Sequence, residues 1–350
     1  MKNIKNIIKE NIKKRGEISL SEFIDIAMNE PNHGYYIKQK PIGSKGDFIT
    51  APEISQIFGE IIGIWIQDYI QKLSLNKDFQ IIDLGGGRGT LLKDISRVIR
   101  NKNVNYIFID INSNLIEEQR KSIPNCKHFK NISEIPNQPS IFVGNEFLDV
   151  FPIKQFKRKG EAFEEIFITL KNDNFIFCTK KLEDISSLQD INHYIPKKAD
   201  FFEINTKIEE KISEIAKFIN KNGGISIFID YGYTNSYGNS LQAIKRHEFV
   251  DPISFPGESD ITSHVNFSHI IYLAKKYNLN YFGPASQRDF FIRMGAKLRL
   301  QSLKETLKNK KDKKNLENDL NRIIGKEEMG LLFKVIALSE KNKLIPEGFD

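Results

Sequence analysis

The sequence predicts an α/β fold built on a doubly wound, mostly parallel sheet. From Phe79–Leu84 and Leu91–Arg100 onward, short apolar segments alternate with helical patterns, which is the order of strands and helices in a parallel sheet. The first strand runs into the stretch QIIDLGGGRGT (residues 80–90), where four glycines separate the strand from the helix. Glycine allows positive φ and close approach of a ligand to the backbone, so the stretch predicts a ligand-binding turn.

The spacing of these glycines distinguishes two classes of ligand. A dinucleotide site needs Gly-x-Gly-x-x-Gly, but the third glycine would stand where Thr90 is. The pattern acid-x-Gly-x-Gly-x-Gly is satisfied by Asp83, Gly85, Gly87 and Gly89. It is typical of sites for S-adenosylmethionine (SAM), which carries no pyrophosphate but has an ammonium group for which Asp83 is a natural partner. The alternative interpretation is an ordinary glycine turn.

The composition is that of a globular protein with one large domain or one and a half. The chain has 350 residues, of which 40% are hydrophobic and 28% charged. Its net charge of +7 would allow contact with nucleic acid, but the lysines are scattered and no nucleic-acid-binding motif is present. The two cysteines, Cys126 and Cys178, form no metal-ligand spacing and indicate a reducing compartment. We therefore expect no metal, no nucleic-acid partner and no membrane insertion.

The N-terminal region predicts helices and an ordered loop ahead of the sheet. Residues 1–16 place four isoleucines on one helical face, and Glu10 together with the absence of serine favours a docked helix over a transit peptide. A loop is expected at 33–50 and a long core-facing helix at 53–70. We expect 1–78 to form a helical and loop segment that closes the active site.

Acidic and amide side chains follow the predicted strands. The second strand, Asn105–Ile111, contains Asp110, which stands where an acid reaches ribose hydroxyls in such folds. The fourth strand, Ser140–Val143, is followed by Asn145, Glu146 and Asp149. Open α/β sheets bind ligands at the carboxyl ends of their strands, so these side chains are candidate site residues.

The remaining chain predicts additions to the α/β order. Aromatic and polar residues alternate over 151–178, which indicates two or three antiparallel strands, and 233–264 is predicted to be irregular. A fifth strand ends in Asp230, and two or three helices are expected before Ile324. We therefore predict one SAM-binding domain at 79–340, with insertions at about 151–200 and 284–329.

Five segments together resemble one family: GDFITAPEISQIFGE, LGGGRGTLLKD, GNEFLDVFP, IDYGY and SHVNF. The sequence resembles the MidA-type methyltransferases, bacterial and mitochondrial proteins whose mitochondrial member is a respiratory complex I assembly factor and protein arginine methyltransferase. The resemblance runs from about Ser19 to Leu338. Where the family commonly has D-V-D-F, this chain has HVNF at 264–267, and residues 287–290 read QRDF.

The resemblance implies a class I methyltransferase fold with a Rossmann-like, seven-stranded sheet, SAM as cofactor, and an arginine of a complex I subunit as methyl acceptor. A guanidinium stays protonated, so carboxylates should hold it, and Glu146 and Asp149 are the first candidates. Asp47 and Glu53 are the second pair, although Glu53 at a helix start equally suits a structural role. Asp83, Gly85, Gly87, Gly89, Asp110 and Asn145 are expected to bind the cofactor.

Two other functions remain open from the sequence. One is a NAD-dependent oxidoreductase on the same type of sheet, and the other is a non-catalytic assembly chaperone that retains a SAM fold. We expect a location in the bacterial cytoplasm, or in the mitochondrial matrix if the source is eukaryotic. The oligomeric state is left open, with a homodimer as one alternative.

Overall fold

The computed structural model describes residues 3–38, 49–73, 78–100, 103–183, 188–234, 238–342 and 344–349. The first part of the chain contains α1 (Ile4–Arg15), β1 (Ile18–Ser19), α2 (Leu20–Asn29), α3 (Tyr35–Lys38), α4 (Ala51–Ile54), α5 (Gln56–Lys72), β2 (Phe79–Leu84), α6 (Thr90–Val98), β3 (Val104–Ile109), α7 (Ile116–Ser122), β4 (Lys127–Phe129) and β5 (Ser140–Asn145).

The second part of the chain contains β6 (Lys154–Lys159), β7 (Ala162–Lys171), β8 (Asn174–Lys181), β9 (Phe201–Ile204), α8 (Thr206–Asn222), β10 (Gly224–Tyr233), β11 (Gln242–Lys245), β12 (Glu248–Val250), β13 (Asp260–Thr262), β14 (Val265–Asn266), α9 (Phe267–Lys276), β15 (Asn280–Ser286), α10 (Gln287–Arg293), α11 (Ala296–Thr306), α12 (Lys310–Ile324), α13 (Met329–Leu332) and β16 (Phe333–Ser339).

The chain divides into two compact units. The accessory unit comprises 1–48, 149–211 and 233–272, and the sheet unit comprises 49–148, 212–232 and 273–350. The division after residue 48 differs from the boundary predicted at 78. Helix α5 belongs to the sheet unit because its buried side chains share one apolar core with β2, β5 and β10. The predicted closure of the active site by 1–78 stays a prediction.

The sheet unit contains the predicted mostly parallel sheet. Seven strands lie in the order β15-β16-β10-β5-β2-β3-β4. The pairs β4/β3, β3/β2, β2/β5 and β5/β10 are parallel, whereas β16 runs antiparallel to both β10 and β15. Strand β2 is buried at all six positions, as expected for a strand covered by helices on both faces. The carboxyl ends of β2, β3, β5 and β10 therefore meet at one edge.

Helix α5 differs from the prediction at its start. The expected helix over 53–70 is interrupted at Ser55, whose extended backbone ends α4 and whose hydroxyl accepts the amide of Ile57 at 3.4 Å to cap α5. Gly59 and Gly63 lie against α6: a Cβ on Gly59 would stand 2.6 Å from the Cβ of Asp94. The absence of two side chains lets these helices approach closely.

The accessory unit contains two antiparallel sheets. One has the order β1-β7-β6-β9 with β8 paired to β7, which matches the strands predicted over 151–178. The other has the order β12-β11-β13 and lies within 233–264, so the irregular structure predicted there is wrong. Its strands have only three or four residues, too few to produce a recognisable period of two in a Gly-, Ser- and Asn-rich stretch.

Three helices, α10 to α12, follow β15 up to Ile324, in agreement with the two or three that were predicted there. A further helix, α13, lies beyond Ile324; it has only four residues and gives no periodic signal. Among the helices that the structure describes, none is long and apolar enough to cross a membrane.

Candidate active site

The glycine turn between β2 and α6 has the conformation that its spacing predicts. Gly85, Gly87 and Gly89 all have positive φ, at 65°, 51° and 82°. Gly86 has a different requirement: a Cβ there would lie 2.6 Å from Cδ1 of Phe108 and 2.7 Å from Oδ2 of Asp83. Three glycines therefore shape the turn and the fourth lets it lie against β3, a role that the spacing pattern did not assign.

Two acids lie below and beside this turn. Asp83 is 1% exposed, and its burial together with the charge of Asp110 raises the pKa of the Asp83 carboxyl well above its usual range. Asp110 accepts the amide of Asn112 at 2.8 Å and the Gln119 side chain at 3.2 Å, while burial raises its pKa. The two carboxyls share one poorly solvated region, where a cationic or hydroxyl-bearing ligand would stabilise their ionised forms.

Gln119 on α7 links the turn to Asp110, a role that was not predicted from the sequence. Its Nε2 donates to the carbonyl of Gly87 at 2.9 Å and to Oδ2 of Asp110 at 3.2 Å. The side chain is completely buried. The sequence shows only a glutamine within a short, mostly charged helix. Its role is visible only once α7 is placed beside the turn.

The end of β5 carries Asn145 and Glu146 to the same edge. Glu146 has φ of 50°, a left-handed conformation that is unfavourable for a residue with a long side chain. Its amide donates to the carbonyl of Ile229 at 2.9 Å, and its Oε1 accepts Nδ2 of Asn145 at 3.2 Å. The backbone is thus held against β10 while the carboxylate stays partly exposed.

Asp230 at the end of β10 fixes the residues that follow Glu146. Its Oδ2 accepts the amides of Phe147 at 3.1 Å and Leu148 at 2.8 Å, and the side chain is completely buried. Asp230 therefore orders the chain after β5 from the neighbouring strand.

The three other acids predicted to bind the acceptor lie in different parts of the chain. Asp149 belongs to the accessory unit, where it is 4% exposed and its carbonyl accepts the amide of Ser263 at 3.3 Å. Asp47 lies outside the described residues. Glu53 belongs to the sheet unit and contacts the glycine turn: it accepts the hydroxyl of Thr90 and pairs with Arg88 at 3.3 Å.

Three buried acceptor atoms around the turn have no hydrogen-bond partner among the described residues. They are Oδ2 of Asp83, Oε1 of Gln119 and Oδ1 of Asn145. Buried acceptors are normally paired, so this group calls for donors from outside the chain. Ile111, directly after Asp110, is 57% exposed and offers an apolar surface beside them. The ammonium, ribose hydroxyls and adenine of SAM would supply such donors and a flat apolar partner.

The described residues support a metal centre less well than a cofactor site. Among the described residues, no group of three or more His, Cys, Asp or Glu side chains could hold a metal ion.

Comparison with solved structures gives the same fold. A protein of Burkholderia thailandensis, crystallised with S-adenosyl-homocysteine (SAH), superposes with a TM-score of 0.83 at 21% identity, over 99% of this chain and 92% of that one. A second crystal structure of a protein from the same organism gives a TM-score of 0.81 at 22% identity, with the same coverage of both chains. The predicted class I methyltransferase fold is thereby confirmed.

Sequence comparison identifies the family. A relative from Caenorhabditis elegans, named protein arginine methyltransferase NDUFAF7 homolog, mitochondrial, is 30% identical over 97% of this chain and 86% of its own length. The human protein arginine methyltransferase NDUFAF7, mitochondrial, is 26% identical over 95% of this chain and 82% of its own. Residues 61–285 match the profile of an S-adenosyl-L-methionine-dependent methyltransferase family. This chain therefore belongs to that family of SAM-dependent methyltransferases, and SAM is its cofactor.

Proposed function

We propose that this enzyme transfers a methyl group from SAM to an arginine of a protein substrate. The observation that carries the proposal is the placement of a strained, partly exposed Glu146 at the same sheet edge as the glycine turn. A carboxylate there suits an acceptor that remains cationic, since guanidinium stays protonated at neutral pH. The names of the relatives from C. elegans and human, both protein arginine methyltransferases, support the same acceptor.

The cofactor site is assigned to the turn and the strand ends around it. Gly85, Gly87 and Gly89 bring backbone close to the ligand, and Asp110 receives the ribose hydroxyls. Asn145 offers its unpaired Oδ1 to a ligand donor. Asp83, which is almost fully buried, acts on the ligand ammonium through its charge from below the turn.

The chemistry depends on positioning. When bound, SAM would supply an activated methyl group on its sulfonium, which a terminal nitrogen of the arginine would take up as the S–C bond breaks and SAH leaves. The protein would accelerate the transfer mainly by holding the nitrogen in line with the S–C bond that breaks. We assign this orientation to Glu146, by charge-assisted hydrogen bonds to the guanidinium. The proton released by the methylated nitrogen passes to solvent or to a carboxylate.

The acceptor protein is proposed from the family resemblance. That resemblance implies a subunit of respiratory complex I, whose assembly the modification would accompany. The two relatives compared above are mitochondrial proteins. A location of this chain in a bacterial cytoplasm stays a prediction.

The test is methylation of a recombinant complex I subunit mixture, followed by mass spectrometry of its arginines. We expect a mass increase of one or more methyl groups on arginine with the wild type and SAM, and none with Glu146→Gln. Glu146→Gln keeps the length and the hydrogen bond from Asn145 but removes the charge. SAH binding that persists without arginine methylation would favour the non-catalytic chaperone, and full activity of Glu146→Gln would exclude the assigned role.

A further inference from the structure

Glu53 contacts the glycine turn with both carboxylate oxygens. Its Oε1 accepts the hydroxyl of Thr90, the first residue of α6, and its Oε2 pairs with Nη1 of Arg88 at 3.3 Å. The side chain of Glu53 is 14% exposed, so its carboxylate is mostly shielded from water, whereas the side chain of Arg88 is 48% exposed. Both partners belong to the segment that bends around the ligand position in the proposed cofactor site.

Arg88 is held from a second side. Its Nε donates to Oε2 of Glu118 on α7 at 3.0 Å, and its carbonyl accepts the hydroxyl of Ser122 at 3.1 Å. The guanidinium therefore lies between a carboxylate from α4 and one from α7. Two helices that are distant in sequence thus fix the same turn residue.

The start of α6 explains why an acid is useful here. Its cap residue is Gly89, which has φ of 82° and no side chain to accept a free amide. A helix N-terminus carries partial positive charge, and an acid close to it is favourable. Glu53 supplies that charge from α4, through the hydroxyl of Thr90. The turn can keep a glycine where the ligand needs close approach, while another helix provides the stabilising acid.

These contacts leave Glu53 poorly suited to bind an acceptor arginine. An incoming guanidinium would have to displace Arg88 from one oxygen and the Thr90 hydroxyl from the other. Each of these is a charge-assisted hydrogen bond, which is stronger than a neutral one. The sequence led us to expect Glu53 as a second acceptor-binding acid. Binding of an acceptor guanidinium by Glu53 would therefore compete with hydrogen bonds that are already formed.

We infer that Glu53 is a positioning residue of the cofactor site, which holds the glycine turn in its ligand-binding shape through Thr90 and Arg88. The inference rests on the proposed assignment of the cofactor site to this turn. Loss of Glu53 should weaken binding of the cofactor and leave recognition of the acceptor nearly unchanged.

The first experiment measures SAH affinity by calorimetry for Glu53→Ala, Thr90→Val and the double variant. Each single change should raise the Kd for SAH about tenfold, as loss of a charge-assisted hydrogen bond implies. The double variant should be little weaker than Glu53→Ala, because Glu53→Ala already removes the hydrogen bond that Thr90→Val removes. Thr90→Ser, which keeps the hydroxyl, should bind SAH like the wild type. As a matched control, Glu317→Gln breaks a surface ion pair with Lys304 and should change nothing.

The second experiment separates this inference from the proposed function. Amide hydrogen exchange in a peptide covering residues 86–92 should be faster in Glu53→Ala than in the wild type without any ligand. If wild-type protein fails to bind SAH, the cofactor assignment fails. The exchange result still tests whether Glu53 holds the turn through Thr90 and Arg88. An unchanged Kd for SAH and unchanged exchange in Glu53→Ala, or a rise in the KM for the acceptor alone, would overturn the positioning role.

Discussion

Oδ2 of Asp230 accepts the backbone amide of Leu148 at 2.8 Å, so the acid that ends β10 holds the chain that leaves β5. The same oxygen accepts the amide of Phe147 at 3.1 Å. Phe147 directly follows Glu146, the acid assigned to the acceptor. A buried carboxylate thus determines where a partly exposed one stands, although the two are 84 residues apart in sequence.

Asp230→Ala should lower methylation more than SAH binding. The buried amide of Leu148 and the partly buried amide of Phe147 lose their acceptor. Each unpaired buried group costs about 1–3 kcal/mol, so the segment after Glu146 should rearrange. We expect kcat/KM for the acceptor to fall by at least about tenfold and the free energy of unfolding to fall by about 2 kcal/mol. Kinetics and urea unfolding measure both. Asp230→Asn keeps one acceptor oxygen and should lose less; equal kinetics for all three proteins would contradict this role.

Gly86→Ala should abolish tight SAH binding. The added Cβ would stand 2.6 Å from Phe108 and 2.7 Å from Asp83, so the turn must move away from β3. We expect the Kd for SAH to rise by about 100-fold, measured by calorimetry. Gly85→Ala is the control for an added methyl group in the same turn. It places an alanine in the left-handed conformation, but the atom closest to its Cβ, Cδ2 of Phe147, is 3.3 Å away. Phe108→Leu should partly rescue Gly86→Ala, and a Gly86→Ala protein that binds like the wild type would show that the turn is not tightly packed.

Gly59→Ala should destabilise the sheet unit although alanine favours helices. Helix propensity alone predicts a gain of about 1 kcal/mol. The Cβ would lie 2.6 Å from the Cβ of Asp94 and 3.0 Å from the carbonyl oxygen of Leu91, so α5 and α6 must separate. We expect a net loss of about 2 kcal/mol in urea unfolding. Gly63→Ala, with closest contacts of 3.0 and 3.1 Å, should lose less. A gain in stability for Gly59→Ala would mean that the helices are not closely packed.

Asp94 should make stability depend on pH, mainly between its unfolded pKa of 3.8 and its folded pKa of about 6. Burial raises its pKa from 3.8 to about 6, although Arg97, 2.8 Å away, opposes the shift. A raised pKa means that the folded state binds the proton more tightly than the unfolded state. This contribution is complete below the unfolded pKa and is lost as the pH rises through about 6.

Asp94→Asn cannot ionise, so its stability relative to the wild type should increase by about 1 kcal/mol between pH 5 and pH 8. Urea unfolding at several pH values measures this difference. Arg97→Gln removes the opposing charge and should shift the loss of stability to higher pH. A difference between Asp94→Asn and wild type that does not change with pH would contradict the raised pKa.

Features encoded within a short stretch were predictable from the sequence. Strand β2 has the predicted bounds, Phe79–Leu84, because a short, mostly apolar segment ends sharply at glycine. The positive φ of Gly85, Gly87 and Gly89 follows from the spacing, since few other residues adopt that conformation. Asp110 lies beside the turn because parallel strands place their carboxyl ends at one edge.

Other features required the tertiary structure. The hydrogen-bond partners of Glu53 and Asp230 could not be assigned until the glycine turn and the chain after β5 were placed beside them. A carboxylate pairs with whatever donor the fold brings within about 3 Å. Gln119 and Gly86 acquire their roles only from contacts with Asp110 and Phe108. The sequence by itself determined the class of fold and the type of cofactor, since both depend on local periodicity and spacing. Only the packing of distant segments decided which acids shape the site and which remain exposed to meet a substrate.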